Sequence, residues 1–197
     1  TLAGKIYSGV ELQKIIDAIK DKQPVYSPFW AFRTNAALLP KVASYLFLSN
    51  DLNAQLQKAR KGLELLEEGG FKKSDYRSLA SFFVEDTAHV VRVKALHKHL
   101  KKLQPFLTRS SDLPYLVLLT RNSDGQEQVR AESIQAYYKA LQKLNFKIGD
   151  SLQALAQLLT LYKAEYVEQL ALYVQQLKVE FEARGLNMKR KYYPYIG

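Results

Sequence analysis

The sequence predicts an all-α fold, and three observations carry that prediction. Apolar residues recur at three- and four-residue steps along most of the chain. No stretch alternates apolar and polar residues between hairpin turns. One aromatic turn is written three times. It is clearest at Gly69-Gly70-Phe71-Lys72-Lys73-Ser74-Asp75, and it returns around Phe106 and Phe146. Phe71, Phe106 and Phe146 are 35 and 40 residues apart, and Gly185-Leu186 stands where a fourth turn would fall. Asp75, Asp112 and Asp150 keep step at 37 and 38 residues. Each unit reads as long helix, aromatic turn, capping residue, shorter helix. A period of roughly 35–45 residues with two helices per unit predicts antiparallel helical hairpins stacked as an irregular α-solenoid-like array. A compact irregular helix bundle is the alternative. One domain over 1–197 is expected, with repeat-like units near 10–48, 51–85, 86–121, 126–162 and 164–197, the last incomplete.

The elements follow in order. Residues 1–8 read as a loose lead-in. Leu12, Ile15, Ile16 and Ile19 place a helix over Val10–Lys20. Pro24 ends it. Phe29–Leu39 reads as an aromatic helix with Phe29 in a degenerate first turn, and Pro40 is expected to stop or kink it. Val42–Leu48 continues as helix. Ser49-Asn50-Asp51 offers capping residues for a helix carrying Leu52, Leu56, Ala59, Leu63 and Leu66. Gly62, inside that helix, marks a close contact. Gly69-Gly70 ends it, because glycine takes the left-handed conformation that satisfies orphan carbonyls.

A shorter helix follows over Asp75–Val84. Val90, Val93, Leu96, Leu100 and Leu103 make one face of the next long helix. Pro105-Phe106-Leu107-Thr108-Arg109-Ser110-Ser111-Asp112 is the second turn, and Pro114 opens a short apolar helix. Arg121–Gly125 is a loop. Ile134, Tyr137, Tyr138, Leu141 and Leu144 form another long helix, closed by the third turn at Asn145-Phe146-Lys147-Ile148-Gly149-Asp150. Leu152–Leu161 is an apolar helix. Val167, Leu170, Val174, Leu177 and Phe181 define the last long one. The basic and aromatic run Lys189-Arg190-Lys191-Tyr192-Tyr193-Pro194-Tyr195-Ile196-Gly197 then stops abruptly. That ending, with the absence of an initiating Met, reads as a piece of a longer protein.

The residues Gly70–Arg77, Pro105–Thr108, Ser111-Asp112-Leu113-Pro114, Tyr137-Tyr138 and Tyr192–Gly197 resemble a helical domain family of unknown function from low-GC Gram-positive bacteria. The resemblance covers about residues 50–197. It implies a bacterial, helical protein and brings no catalytic residues with it.

Composition narrows the chemistry. There is no cysteine, so disulfides, thiolate catalysis and cysteine-based zinc sites are excluded. No apolar run is long enough for a transmembrane helix, and the N-terminal residues lack a signal layout. A cytoplasmic location is expected. Lys and Arg number 29 against 19 Asp and Glu, a net charge of +10, which favours anionic partners. His89, His97 and His99 read as partly exposed helix residues rather than metal ligands. Ser110, Ser111 and Asp112 read as caps rather than a nucleophile with its base. No metal, cofactor or catalytic residue is assigned.

The basic residues are the remaining functional candidates. Lys94, Lys98, Lys101 and Lys102 share one helix face, and Lys72 and Lys73 flank a helix start suited to an anion. Phe71, Asp75, Phe106, Asp112, Phe146 and Asp150 are assigned to turns and caps. The expected function is that of a non-enzymatic interaction scaffold with a protein partner. A nucleic-acid-binding array using the basic surface is the second expectation. An enzyme domain completed by a further part of the chain is the third.

Overall fold

The computed structural model describes residues 9–21, 38–48, 51–122 and 125–197. All regular structure among them is helical. The lead-in over 1–8, the aromatic helix over Phe29–Leu39 apart from its last two residues, and Ser49, Asn50, Ser123 and Asp124 lie outside the described residues. The chain divides into two compact units, Thr1–Thr87 and Ala88–Gly197.

The first unit contains α1 (Gly9–Lys20), α2 (Leu39–Leu48), α3 (Leu52–Glu68), α4 (Asp75–Ala80) and a 310 turn at Ser81–Phe83. Pro40 stands in the first turn of α2, where its missing N–H has no intrahelical partner to lose, and the preceding helix that it was expected to stop or kink lies outside the described residues apart from its last two. Ile19, Val42, Leu46, Leu56, Ala59 and Phe82 form the core. The Tyr45 ring meets Phe82 edge-on, with centroids 5.0 Å apart. Asp51 caps α3 by accepting from the Ala54 N–H at 2.9 Å. Gly62 is buried where α3 crosses the 310 turn, and a Cβ there would collide with the Ser81 carbonyl. Only glycine allows that approach.

The second unit contains α5 (Thr87–Leu103), α6 (Leu113–Leu119), α7 (Glu127–Lys143), α8 (Asp150–Leu159), α9 (Glu168–Ala183) and a 310 segment over Arg190–Ile196. α8 is its centre. Leu152, Leu155, Ala156 and Leu159 are buried, together with Gln153 and Gln157, and α8 packs against α6, α7 and the 310 segment. His89 is not exposed. It is fully buried, with Nε2 2.9 Å from the Val117 carbonyl, so it ties α5 to α6.

Three long helices end in the same way. After α3 the Phe71 N–H reaches the Leu66 carbonyl and the Gly70 N–H the Glu67 carbonyl. After α7 the pairs are Phe146 to Leu141 and Asn145 to Gln142, and after α9 they are Leu186 to Phe181 and Gly185 to Glu182. This paired closure requires a left-handed residue just past the helix. Gly70, Asn145 and Gly185 supply it at φ +83°, +64° and +81°.

α5 ends otherwise. Pro105 occupies the corresponding position, and its ring holds φ near −65° and removes the N–H. The chain closes instead through the Leu107 and Thr108 N–H groups, both donating to the Gln104 carbonyl.

Candidate functional site

The joint between α7 and α8 forms one wall of a cleft. Asn145 turns the chain and Phe146 goes into the interior, where Tyr193 meets it edge-on at 4.9 Å. Tyr193 belongs to the 310 segment, so this ring contact brings the C-terminal basic run back across the start of α8. The Tyr193 hydroxyl accepts from the Lys147 N–H at 3.2 Å, and Arg190 donates to the Ile148 carbonyl at 2.9 Å. Gly149 lies beside that guanidinium at φ +136°, where a side chain would be strained. The far wall comes from α9, through Lys178 and Glu182.

The result is a cavity of about 770 Å3. Its walls carry Lys147, Lys178, Lys189, Arg190 and Lys191 against only Asp150 and Glu182. Both carboxylates are engaged. Glu182 accepts from Lys178 at 3.0 Å, and Asp150 from Arg109 at 3.3 Å. Lys147, Lys189, Arg190 and Lys191 have no carboxylate within ion-pair distance among the described residues. Four cations therefore line one cleft without local neutralisation.

A second cluster lies in the interior. Asp112 is buried, and its carboxylate accepts from the Arg109 N–H at 2.7 Å and from the Gln157 side-chain amide at 3.1 Å. Burial raises its pKa above the usual carboxylate value, and those two hydrogen bonds work against the rise. Its protonated form is thus favoured by folding. That contribution is complete below pH 3.8 and is lost as pH rises through the folded value. Arg130 donates to the Thr160 carbonyl, closing the end of α8. These are structural bonds: each satisfies a backbone or side-chain group that burial would otherwise strand.

The sequence-predicted basic residues lie in two places, one in each unit. Lys72 and Lys73 are exposed in the first unit, ahead of the six-residue α4. Lys94, Lys98, Lys101 and Lys102 are exposed on α5 in the second. Lys101 is committed to the helix end, where its ammonium donates to the Pro105 and Thr108 carbonyls at 2.9 and 3.2 Å. None of the six lines the cleft.

The turn and cap residues also divide. Ser74, rather than Asp75, accepts from the Arg77 N–H and caps α4. Phe71 is half-buried and Phe146 is buried, while Phe106 is 88% exposed. Asp112 caps from the interior, and Asp150 is exposed at the start of α8. The cleft lysines were missed because Lys147 and Lys189-Arg190-Lys191 are more than forty residues apart. The signal available was the basic run itself, directly before Tyr192-Tyr193.

These features define a helical domain with a basic cleft in its second unit. No helix among the described residues is long and apolar enough to cross a membrane. The chain belongs to the family described as "Protein of unknown function (DUF4003)", whose model matches residues 1–197. No curated protein and no solved structure matches it.

Proposed function

We propose that this chain is a non-enzymatic binding module, an interaction scaffold that engages an acidic partner through the cleft of its second unit. The observation that supports this is the set of four cations converging on one cavity without carboxylate partners. Like charges gathered in a concave surface raise the local concentration of anions and speed their capture. The turn that carries Lys147 and the 310 segment that carries Arg190 and Lys191 are tied together by the Tyr193–Phe146 ring contact and the Arg190–Ile148 hydrogen bond, and such preorganisation lowers the ordering cost of binding.

The test is a titration of hexaglutamate against the protein and against a Lys147→Glu/Lys189→Glu variant. Salt-sensitive binding that the variant loses supports the reading. Equal binding by both proteins sinks it. A nucleic-acid partner is the second reading, favoured by the net charge of +10. Filter binding of duplex DNA and single-stranded RNA checks it. Three phosphate contacts to duplex DNA would cost about 40-fold in affinity between 50 and 200 mM salt. No retention at either salt concentration removes this reading.

A further inference from the structure

We infer that the cleft takes a small phosphorylated ligand, with a phosphate monoester or diphosphate seated among Lys147, Lys189, Arg190 and Lys191. This rests on the reading of the cleft as a site for an acidic partner, and it names the chemistry of the group bound.

Charge favours phosphate over carboxylate. The cleft holds five cations and two carboxylates, an excess of three positive charges. A single carboxylate neutralises one of them. A phosphate monoester or diphosphate carries two or three negative charges on closely spaced oxygens, which matches that excess. Within that count Glu182 is paired with Lys178, and Asp150 is paired with Arg109 outside the cleft lining, so Lys147, Lys189, Arg190 and Lys191 are the cations left for a ligand.

Size favours a small molecule. At about 770 Å3 the cavity falls within the roughly 300–1,000 Å3 of ordinary small-molecule clefts.

Donors are also available. The Leu152 and Gln153 N–H groups both bond to the Gly149 carbonyl, but those of Asp150 and Ser151 meet no acceptor among the described residues. Both residues line the cleft. The cavity and its cations carry the assignment, and these amides add donors to it. Arg190 holds its place through the Ile148 carbonyl, which leaves further guanidinium N–H groups for a phosphate oxygen.

The experiment is calorimetric titration of inorganic pyrophosphate into the whole chain at 50 mM salt. Two charge-matched double variants accompany it, Lys147→Glu/Lys189→Glu in the cleft and Lys94→Glu/Lys98→Glu on α5. All four positions are exposed, and circular dichroism confirms that the variants keep their helices. The expected result is saturable one-to-one binding. The cleft variant weakens it at least about tenfold, and the α5 variant leaves it within about twofold.

Equal losses in both variants would overturn the inference, because net charge alone would then explain the binding. Hexaglutamate bound at the cleft without competition from pyrophosphate would overturn it while leaving the proposed function standing. Single-stranded RNA bound without such competition would overturn it in favour of a nucleic acid. If neither pyrophosphate nor hexaglutamate binds, both readings fall.

Discussion

After α7 the chain turns at Asn145 and sends Phe146 inward, leaving Asp150 exposed. After α5 it turns at Pro105, leaves Phe106 in solvent and buries Asp112 instead. The two joints share residue types and order, yet the side chain that anchors each one is exchanged. The joints differ first at the position just past the helix, Asn145 in one and Pro105 in the other. At the α7 end the left-handed Asn145 directs Phe146 back toward the helix, where it packs, whereas Leu186 stays exposed after the same closure of α9. Proline forbids that geometry, so the aromatic residue is released. The chain then takes extra residues to reach α6, and Asp112 closes the turn from within. The first joint has a buried ring as its anchor, with hydrogen bonds around it, and the second has a buried carboxylate.

The largest expected effect comes from the apolar anchor. Phe146→Ala should cost about 3–5 kcal/mol, as for other buried phenylalanines, and Phe106→Ala should stay within about 0.5 kcal/mol. Urea denaturation of both variants checks this. Similar losses would erase the contrast between the joints.

The polar anchor comes next. Asp112→Ala strands the Gln157 amide and the Arg109 N–H, for an expected cost of about 2–3 kcal/mol. Asp150→Ala removes an exposed ion pair and should cost less than about 1 kcal/mol. The reverse order in a melting series would show that the two aspartates had been assigned the wrong weights.

A smaller effect sharpens the role of the turning residue. Asn145→Gly should stabilise by about 0.5–1 kcal/mol, because glycine meets the positive φ without strain. Pro105→Gly should give no such gain while Lys101 and Thr108 hold the α5 end as it stands. A matching gain there would mean that proline only blocks a closure the surrounding chain would otherwise adopt.

The smallest effect is one of pH. His97 lies on α5 one turn before Lys101, and burial, then the Lys101 charge, lowers its pKa below the ordinary 6.5. Its neutral form is favoured by folding. That contribution is complete above pH 6.5 and is lost as pH falls through the folded value. Wild type should therefore lose more stability than His97→Gln on acidification below pH 6.5. Parallel pH profiles for the two proteins would remove this difference.

Much of the fold was legible in the sequence. The spacing of Leu56, Ala59 and Leu66, and of Val90, Val93, Leu96 and Leu100, marked faces that the structure buries. Gly70 was legible as a helix end because left-handed backbone favours glycine, and Gly62 as a close contact because a Cβ has no room there. The candidate site was not legible in the same way. Lys94 and Lys98 stood out because they are near one another in sequence. Lys147 and Arg190 share a cleft because Tyr193 finds Phe146. His89 showed the same limit: nothing within α5 announced that it would meet the Val117 carbonyl.

The sequence by itself determined that the described chain is helical, where most long helices stop, and that its net charge is +10. Periodicity, left-handed glycine and net charge are local or additive properties, so they can be read one residue at a time. The tertiary structure decided which joint is anchored by a ring and which by a carboxylate, and where unpaired cations gather. Those outcomes depend on the segment that arrives from forty residues away, Tyr193 on Phe146 and Gln157 on Asp112, and burial is a property of that meeting.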